Sequence, residues 1–248
     1  MVEMKLSAVI LTKNEESALA HCLKSVRFCD EVIVVDDNST DKTITIAKKL
    51  GAKVFNRDLN DDFSAQRNFG LKITHGEWVL FIDSDEWIPE NLKKEILEAL
   101  VEENFNGYVL KRYEVWLGEK LKHAEWGDVK LLRLARKGKG KWVRKVHETW
   151  EIGGKVGELN NYLEHRVEVG LDEKLTKVNF YSRLHAEELE KERKRVGFWR
   201  VLFMPTAKLG MNYVVKQGFR DGVRGFVLSV VMSFHSFLAW SDLWFKKK

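Results

Sequence analysis

An α/β fold built on a mostly parallel sheet is predicted by three observations. Short apolar runs at residues 6–11, 31–37 and 78–85 read as buried strands. Helical spacing fills the segments between them, the pattern of βαβ units. Acidic residues close two of the runs, at Asp36–Asp37 and Asp83–Asp85, and open α/β sheets bind ligands at that strand edge. The composition agrees. The chain has 248 residues, 44% hydrophobic and 32% charged, with 17 Gly and 2 Pro. Such a chain can bury a substantial core, and it is unlike a disordered, collagen-like or disulfide-stapled protein.

Each element follows from its own residues. LSAVIL is too short for a signal peptide and runs into the polar loop Thr12–Glu16, so it reads as a first core strand. Leu19, Leu23 and Val26 recur at helical spacing within 17–28. EVIVVDD is a second buried strand. Ser39, Thr40 and Asp41 offer caps for a helix that Gly51 closes. AKVF, 52–55, is a third strand, 64–73 a helix ended by Gly76, and WVLFIDSD a fourth strand. After residue 106 the pattern changes. Residues 107–117 and 129–137 read as strands flanking the polar HAEWGD, KWVRKVHETWEI turns through Gly153–Gly154, and 172–196 and 198–245 read as helical.

Charge is uneven. Residues 1–100 carry 13 basic and 18 acidic side chains, a net of −5, and residues 101–248 carry 29 and 19, a net of +10. The acidic half argues against nucleic acid as a partner, and the basic half suits an anionic one. Cys22 and Cys29 have neither CxxC nor zinc-type spacing and read as reduced thiols of a reducing, cytoplasmic compartment.

Asp83-Ser84-Asp85 ends an apolar strand. If the backbone stays extended there, both carboxylates face one side, as magnesium or manganese bridging a diphosphate requires. Asp36 and Asp37 are adjacent carboxylates that resist burial without a partner, and Asp37 can accept from a base N–H or a ribose hydroxyl. No GxGxxG follows the first strand and no GxxxxGK[ST] occurs. The lysine and third Asp of response regulators, and the glycine-rich basic loop of nucleotidyltransferases, are equally absent.

VILTKNEE, EVIVVDDNSTDKT, FSAQRNFGL and GEWVLFIDSDEWIP, in this order, resemble the inverting glycosyltransferases of family two, closely over residues 6–92. WGDVKLLRL, VHETW, His165 and KQGFRDGVRGF are similar, more loosely, to the branch containing lipopolysaccharide-core glucosyltransferases. The resemblance implies a GT-A fold, Rossmann-like, with residues 1–106 as nucleotide-sugar half and 107–171 as acceptor half, followed by a basic, aromatic helical extension over 172–248. It implies that Thr12 lines the base, Asp37 holds it, Arg67 approaches base or diphosphate, Asp83 meets the ribose or metal shell, and Asp85 binds a divalent cation, Mn or Mg. The implied reaction moves a hexose, glucose above all, from a UDP-sugar to a glycan or glycolipid hydroxyl.

Inversion needs a carboxylate base. The family's ED pair does not occur after Gly107, which leaves Glu148 as first choice, with His147 beside it, Asp128 as second and Glu125 third. Trp126, Trp142 and Trp150 cluster around this segment, and one or two of them are expected to line an acceptor cleft. Two other readings stay open: a polyprenyl-phosphate acceptor, which needs no base, and a silent sugar-nucleotide or membrane-surface binding module. Residues 198–245 interleave aromatics with Lys208, Lys216, Arg220 and Arg224 and end on three lysines. They suit either the anionic inner face of a cell membrane or a helical layer or homodimer contact. The apolar stretch Gly225–Trp240 is short of the ~20 residues of a spanning helix.

Overall fold

Parallel pairing at 6–12, 31–36 and 78–83 follows from burial of these strands on both faces, and the more exposed strand 53–56 joins them in parallel at the edge. The computed structural model describes residues 5–145 and 148–247. Its chain order opens β1 (Leu6–Thr12), α1 (Leu19–Ser25), β2 (Glu31–Asp36), α2 (Thr43–Lys49), β3 (Lys53–Asn56), α3 (Phe63–Ile73) and β4 (Trp78–Asp83). Alternate residues of one strand enter opposite cores, as period-two side chains must. Leu6, Ala8 and Ile10 join Leu80, Ile82 and the α1 residues Leu19 and Leu23. Val9 joins Ile33, Val35, Phe81 and the α3 residue Phe69 on the other face. Gly70 lets α3 close on this second face, since a Cβ there would stand 2.5 Å from Val9 Cγ1.

Then come β5 (Glu86–Trp87), α4 (Glu90–Ala99), β6 (Gly107–Trp116), β7 (Glu119–Lys120), α5 (Ala124–Gly127), β8 (Val129–Arg136), β9 (Gly140–Val143), β10 (Thr149–Ile152) and β11 (Val156–Val167). The main sheet has the order β3-β2-β1-β4-β8-β6-β11-β5, with β7 on β6, and β9 pairs β10 as a separate hairpin. β1 is parallel to β2 and β4, whereas β8 runs antiparallel to β4. Besides the short β5, β7 and α5, two longer elements were not expected. α4 buries Leu92, Ile96 and Ala99, and the twelve-residue β11 buries Leu159 and Leu163.

Two expectations change in detail. The fourth strand stops at Asp83, and residues 84–85 form a turn. Asp83 and Asp85 therefore do not share an extended backbone, and their side chains meet different partners. Nor do Ser39 and Thr40 cap α2, whose N-cap is Lys42. They lace the first loop to the second instead. Ser39 Oγ accepts from Asn14 N–H and donates to Asp36, Thr40 N–H donates to Asn14 Oδ1, and Asp41 accepts from Glu16 N–H.

Glu31, at the start of β2, is buried. Its carboxylate accepts from Ser7 Oγ, Lys53 Nζ and His75 N–H at 2.8–2.9 Å. Burial pushes its pKa up, but Lys53, Ser7 and His75 prevail and bring it down to about 2. A depressed carboxyl stabilises the fold fully above its unfolded value, and that stability is lost as pH falls through the folded value. Thermal melts of wild type should therefore weaken between about pH 4.5 and 2, and Glu31→Gln should flatten that limb.

By contact density the chain forms two units. The first holds the described residues up to Arg112 together with Lys130–Arg166, and the second holds Tyr113–Val129 and Val167 onward. In the second, α6 (Leu171–Lys191) and α7 (Phe198–Gly210) precede a π-helical turn, Met211–Val215, and a 3-10 turn, Gly218–Asp221, before α8 (Gly222–Lys246). Asp221, from the KQGFRDGVRGF segment, accepts from His123 Nδ1, His123 N–H and Trp126 Nε1 at 2.8–3.2 Å. The helical residues Gly218–Lys246 are long enough to cross a membrane and contain an 18-residue stretch apolar enough to do so, with mean hydropathy 1.4. Helix thus continues beyond the shorter stretch read from sequence.

Candidate active site

The parallel register sets one edge of the sheet. Thr12 lies opposite Asp36, and Leu11 opposite Asp83, so the strand ends carrying the acidic residues align. Asp37 N–H donates to Thr12 O at 2.9 Å. The Asp37 carboxylate accepts from Lys13 Nζ at 2.8 Å and from Leu59 N–H at 2.9 Å. Thr12 Oγ1 is buried and has no hydrogen-bond partner among the described residues. Lys13 thus pairs with Asp37 while staying exposed.

The centre of the site is a buried ion cluster. Asp62 is the N-cap of α3, and its carboxylate accepts from Ala65 N–H at 2.9 Å, which fixes the start of the helix that presents Arg67. Arg67 donates from Nε to Glu148 Oε1 at 2.7 Å and from Nη2 to Asp83 Oδ1 at 2.8 Å. Its guanidinium lies 4.8 Å from the centre of the Trp142 ring. Arg133, on β8, donates to Asp83 Oδ2 at 2.7 Å. Arg112, on β6, donates to Glu86 Oε1 at 2.7 Å, and Glu86 accepts from Asp83 N–H at 2.9 Å.

Glu148 reaches this cluster because its hairpin is pinned to α3. Asn68 Nδ2 donates to Trp142 O at 2.8 Å and Asn68 Oδ1 accepts from Trp142 N–H at 2.9 Å. Phe63 N–H donates to Lys145 O at 3.0 Å. Trp142 and Trp150 stack at 5.1 Å and meet Phe81 edge-on. These two rings, 4% and 2% exposed, are core rather than the wall of a cleft. Trp126 is buried in the second unit with Trp116, Leu121 and Leu228. The expected aromatic lining is corrected on all three, because flat rings at inward strand and helix positions fill the interior first.

Electrostatics follow from burial set against pairing. Burial raises the Asp83 pKa, but Arg133 and then Arg67 hold the carboxyl far below the usual range. Burial likewise raises Glu148, and Arg67 followed by Arg133 brings it below its ordinary value. Burial disfavours the Arg67 cation, yet Asp83 and Glu148 push its pKa up. Asp85 is raised by burial and lowered, on balance, by His165, whose Nε2 lies 3.1 Å from Asp85 Oδ2. Asp83, Asp85 and Glu148 are thus ionised, and Arg67 protonated, at neutral pH. Arg67 Nη1 and Arg133 Nε and Nη1 remain buried N–H groups with no acceptor among the described residues.

The structure therefore brings Arg67, Asp83 and Glu148 together, places Asp85 two residues on with His165, and sets Thr12 and Asp37 on the neighbouring strand ends. Asp128 belongs to the second unit, where it is exposed and makes none of these contacts. Glu125 pairs there with Lys208. His147 lies outside the described residues. Arg133, Arg112 and Glu86 are participants that motif reading missed. The signal for Arg133 was a cation flanked by leucines inside an apolar strand, Leu132-Arg133-Leu134.

A divalent cation can be tested against these donors. Hard cations take oxygen, and one bridging a diphosphate needs only one or two protein ligands. Asp85 fits, with one oxygen on His165 and the other outside any ion pair among the described residues. Asp83 has both oxygens on guanidinium groups. Among the described residues no group of three or more His, Cys, Asp or Glu could hold a metal ion by itself.

A mixed, mostly parallel sheet with helices on both faces and acidic residues at its carboxyl edge defines a GT-A-type transferase fold. The S. aureus TarS fragment 1–349, solved in complex with UDP, is similar over 99% of this chain and 92% of its own, at 17% identity and a TM-score of 0.51. Glucosyl-3-phosphoglycerate synthase from Mycobacterium tuberculosis, in complex with Mn2+, UDP and phosphoglyceric acid, is similar over 75% and 78%, at 18% identity and a TM-score of 0.50. These are likenesses of fold. Closer in sequence, an uncharacterised glycosyltransferase of Rickettsia conorii is 31% identical over 253 residues, 96% of this chain and 89% of its own. The lipopolysaccharide core biosynthesis glycosyltransferase LpsC of Rhizobium meliloti is 29% identical over 244 residues, 95% and 90%. The family model described as glycosyl transferase family 2 matches residues 7–152, and the chain belongs to that family of glycosyltransferases.

Proposed function

We propose that this glycosyltransferase moves a hexose, glucose before others, from a UDP-sugar to a hydroxyl of a cell-envelope glycan or glycolipid, with inversion, in the cytoplasm. The observation that carries the reading is the placing of Asp83 and Glu148 on the single guanidinium of Arg67. One cation then couples a donor-side carboxylate to the candidate base. The spare buried N–H groups of Arg67 and Arg133 suit an anionic leaving group, whose growing charge such donors stabilise. Thr12 and Asp37 would receive the base and ribose, and Glu148 would take the acceptor proton. Asp85, with His165 beside it, would hold Mn or Mg, which when bound supplies further neutralisation of the diphosphate.

A polyprenyl-phosphate acceptor is the second reading. Glu148 is tied to Arg67 and titrates below its ordinary range, which weakens it as a base. A phosphate acceptor is its own nucleophile and needs none.

Calorimetric titration of UDP and GDP with and without manganese, on wild type and Asp85→Ala, tests the donor site. UDP binding that requires metal and weakens at least about tenfold in the variant, ~1.4 kcal/mol, is the expected result. Silence toward both nucleotides under every metal condition would overturn it.

A further inference from the structure

The second unit turns an apolar, cation-bordered helical face outward, and we infer that this face docks on the surface of an anionic lipid bilayer, lying in the interface without spanning it. The inference goes beyond glycosyl transfer and stands apart from the donor site. Of the 23 large apolar side chains exposed among the described residues, 15 lie between Phe198 and Phe245. An ordinary soluble surface scatters such residues singly, and a continuous patch marks a partner.

The residues share one face. On α8, Val223, Phe226, Val230, Phe234 and Phe237 recur every three or four positions and are all exposed. An open groove of about 440 Å³ runs between α7 and α8, with Phe198, Leu202 and Pro205 on one wall and Val230, Phe234 and Phe237 on the other. Trp199, 65% exposed, stacks on Phe203 at 5.6 Å. Tyr213 contacts both Phe226 and Phe219, which carries the face onward into the turns. α7 buries only Pro205, although most of its residues are apolar.

Charge selects the occupant. Residues 198–248 hold eight Lys or Arg and two Asp. Asp221 is spent on His123 and Trp126. Arg200, Lys216, Arg220 and Lys247 are exposed. An isologous pairing with a second copy would bring this basic border against itself. Anionic headgroups complement it, and aromatic rings beside cations suit the interfacial zone.

The other side of α8 sets the geometry. Gly225, Leu228, His235, Ala239 and Leu243 form a buried stripe. α6, which carries nine charged side chains, packs there, with His185 stacked on His235 at 5.4 Å and Glu187 3.9 Å from Lys246. A spanning helix would draw that charged neighbour toward hydrocarbon, where charges are costly. With one apolar face and one covered face, α8 meets lipid from the side.

Co-sedimentation of the full chain with phosphatidylcholine vesicles, with and without phosphatidylglycerol, tests the inference. Binding to the anionic vesicles that falls with salt, and falls roughly tenfold in Trp199→Ala/Phe203→Ala, is the expected result. Lys216→Glu/Arg220→Glu should remove the preference for phosphatidylglycerol, and it covers the case in which the aromatic variant fails to fold. No binding to anionic vesicles, or equal binding by both variants, would overturn the inference. Resistance to alkaline carbonate would establish a span and overturn the interfacial geometry. A concentration-dependent dimer abolished by the aromatic variant, without vesicle binding, would assign the face to a second copy. UDP titration of the same preparations keeps this outcome separate from that of the donor site.

Discussion

Glu148→Gln should lower turnover onto a hydroxyl acceptor by about 10²–10⁴-fold while leaving UDP binding in place. The amide is nearly isosteric and can still accept from Arg67 Nε, which spans 2.7 Å to the native carboxylate. What it cannot do is take a proton. Steady-state rates with a UDP-sugar, beside calorimetry with UDP, separate the two effects. The pH profile checks the protonation state of the proposed base. Because the carboxyl titrates below its ordinary 4.5, it is ionised throughout the neutral range, and wild-type kcat/KM should show no acid limb above that value. Asp128→Asn should leave the rate within a factor of about two, as surface changes usually do. If Asp128→Asn stops turnover and Glu148→Gln does not, the base is reassigned. If neither does, the phosphate acceptor gains ground.

The second large effect is expected at Arg67. Arg67→Leu removes the buried cation shared by Asp83 and Glu148 and leaves the half-buried Glu148 without its partner. Breaking a buried pair from one side typically costs about 3–5 kcal/mol. Urea unfolding should show that loss, with UDP binding lost as well. Arg67→Lys is not a conservative repair. A point ammonium cannot bridge two carboxylates from a planar fork, nor lie flat over Trp142 at 4.8 Å. Partial stability and little activity are expected of it. Full stability in Arg67→Leu would mean that Arg133 alone satisfies Asp83, and the cluster would then be less integrated than its geometry implies.

The N-terminal half was legible because burial on both faces of a parallel sheet writes itself as uninterrupted apolar runs. β1, β2 and β4 are such runs, and their polar ends mark the ligand edge. β11 was not legible. Its two buried leucines, Leu159 and Leu163, are four apart and sit among polar residues, so the strand period is hidden. α4 has a readable helical stripe in Leu92, Ile96 and Ala99, close behind the acidic motif. At the site, Arg67, Asp83 and Glu148 were named from motifs, but their mutual contact joins residues 81 positions apart. Arg133 and Glu86 escaped for a physical reason. Composition places charges at the surface, and only the fold shows which ones find partners inside.

Gly70 has a bearing on how this protein can change. The residue carries no chemistry, yet it lets α3 lie on Val9 and so sets the height at which Arg67, one turn earlier, meets two carboxylates. A single added methyl would lift the helix and loosen the cluster without altering any charge. The proposed site therefore depends on a position that no search for reactive groups would visit. A population drifting under selection would find the route through residue 70 as closed as the route through the arginine itself.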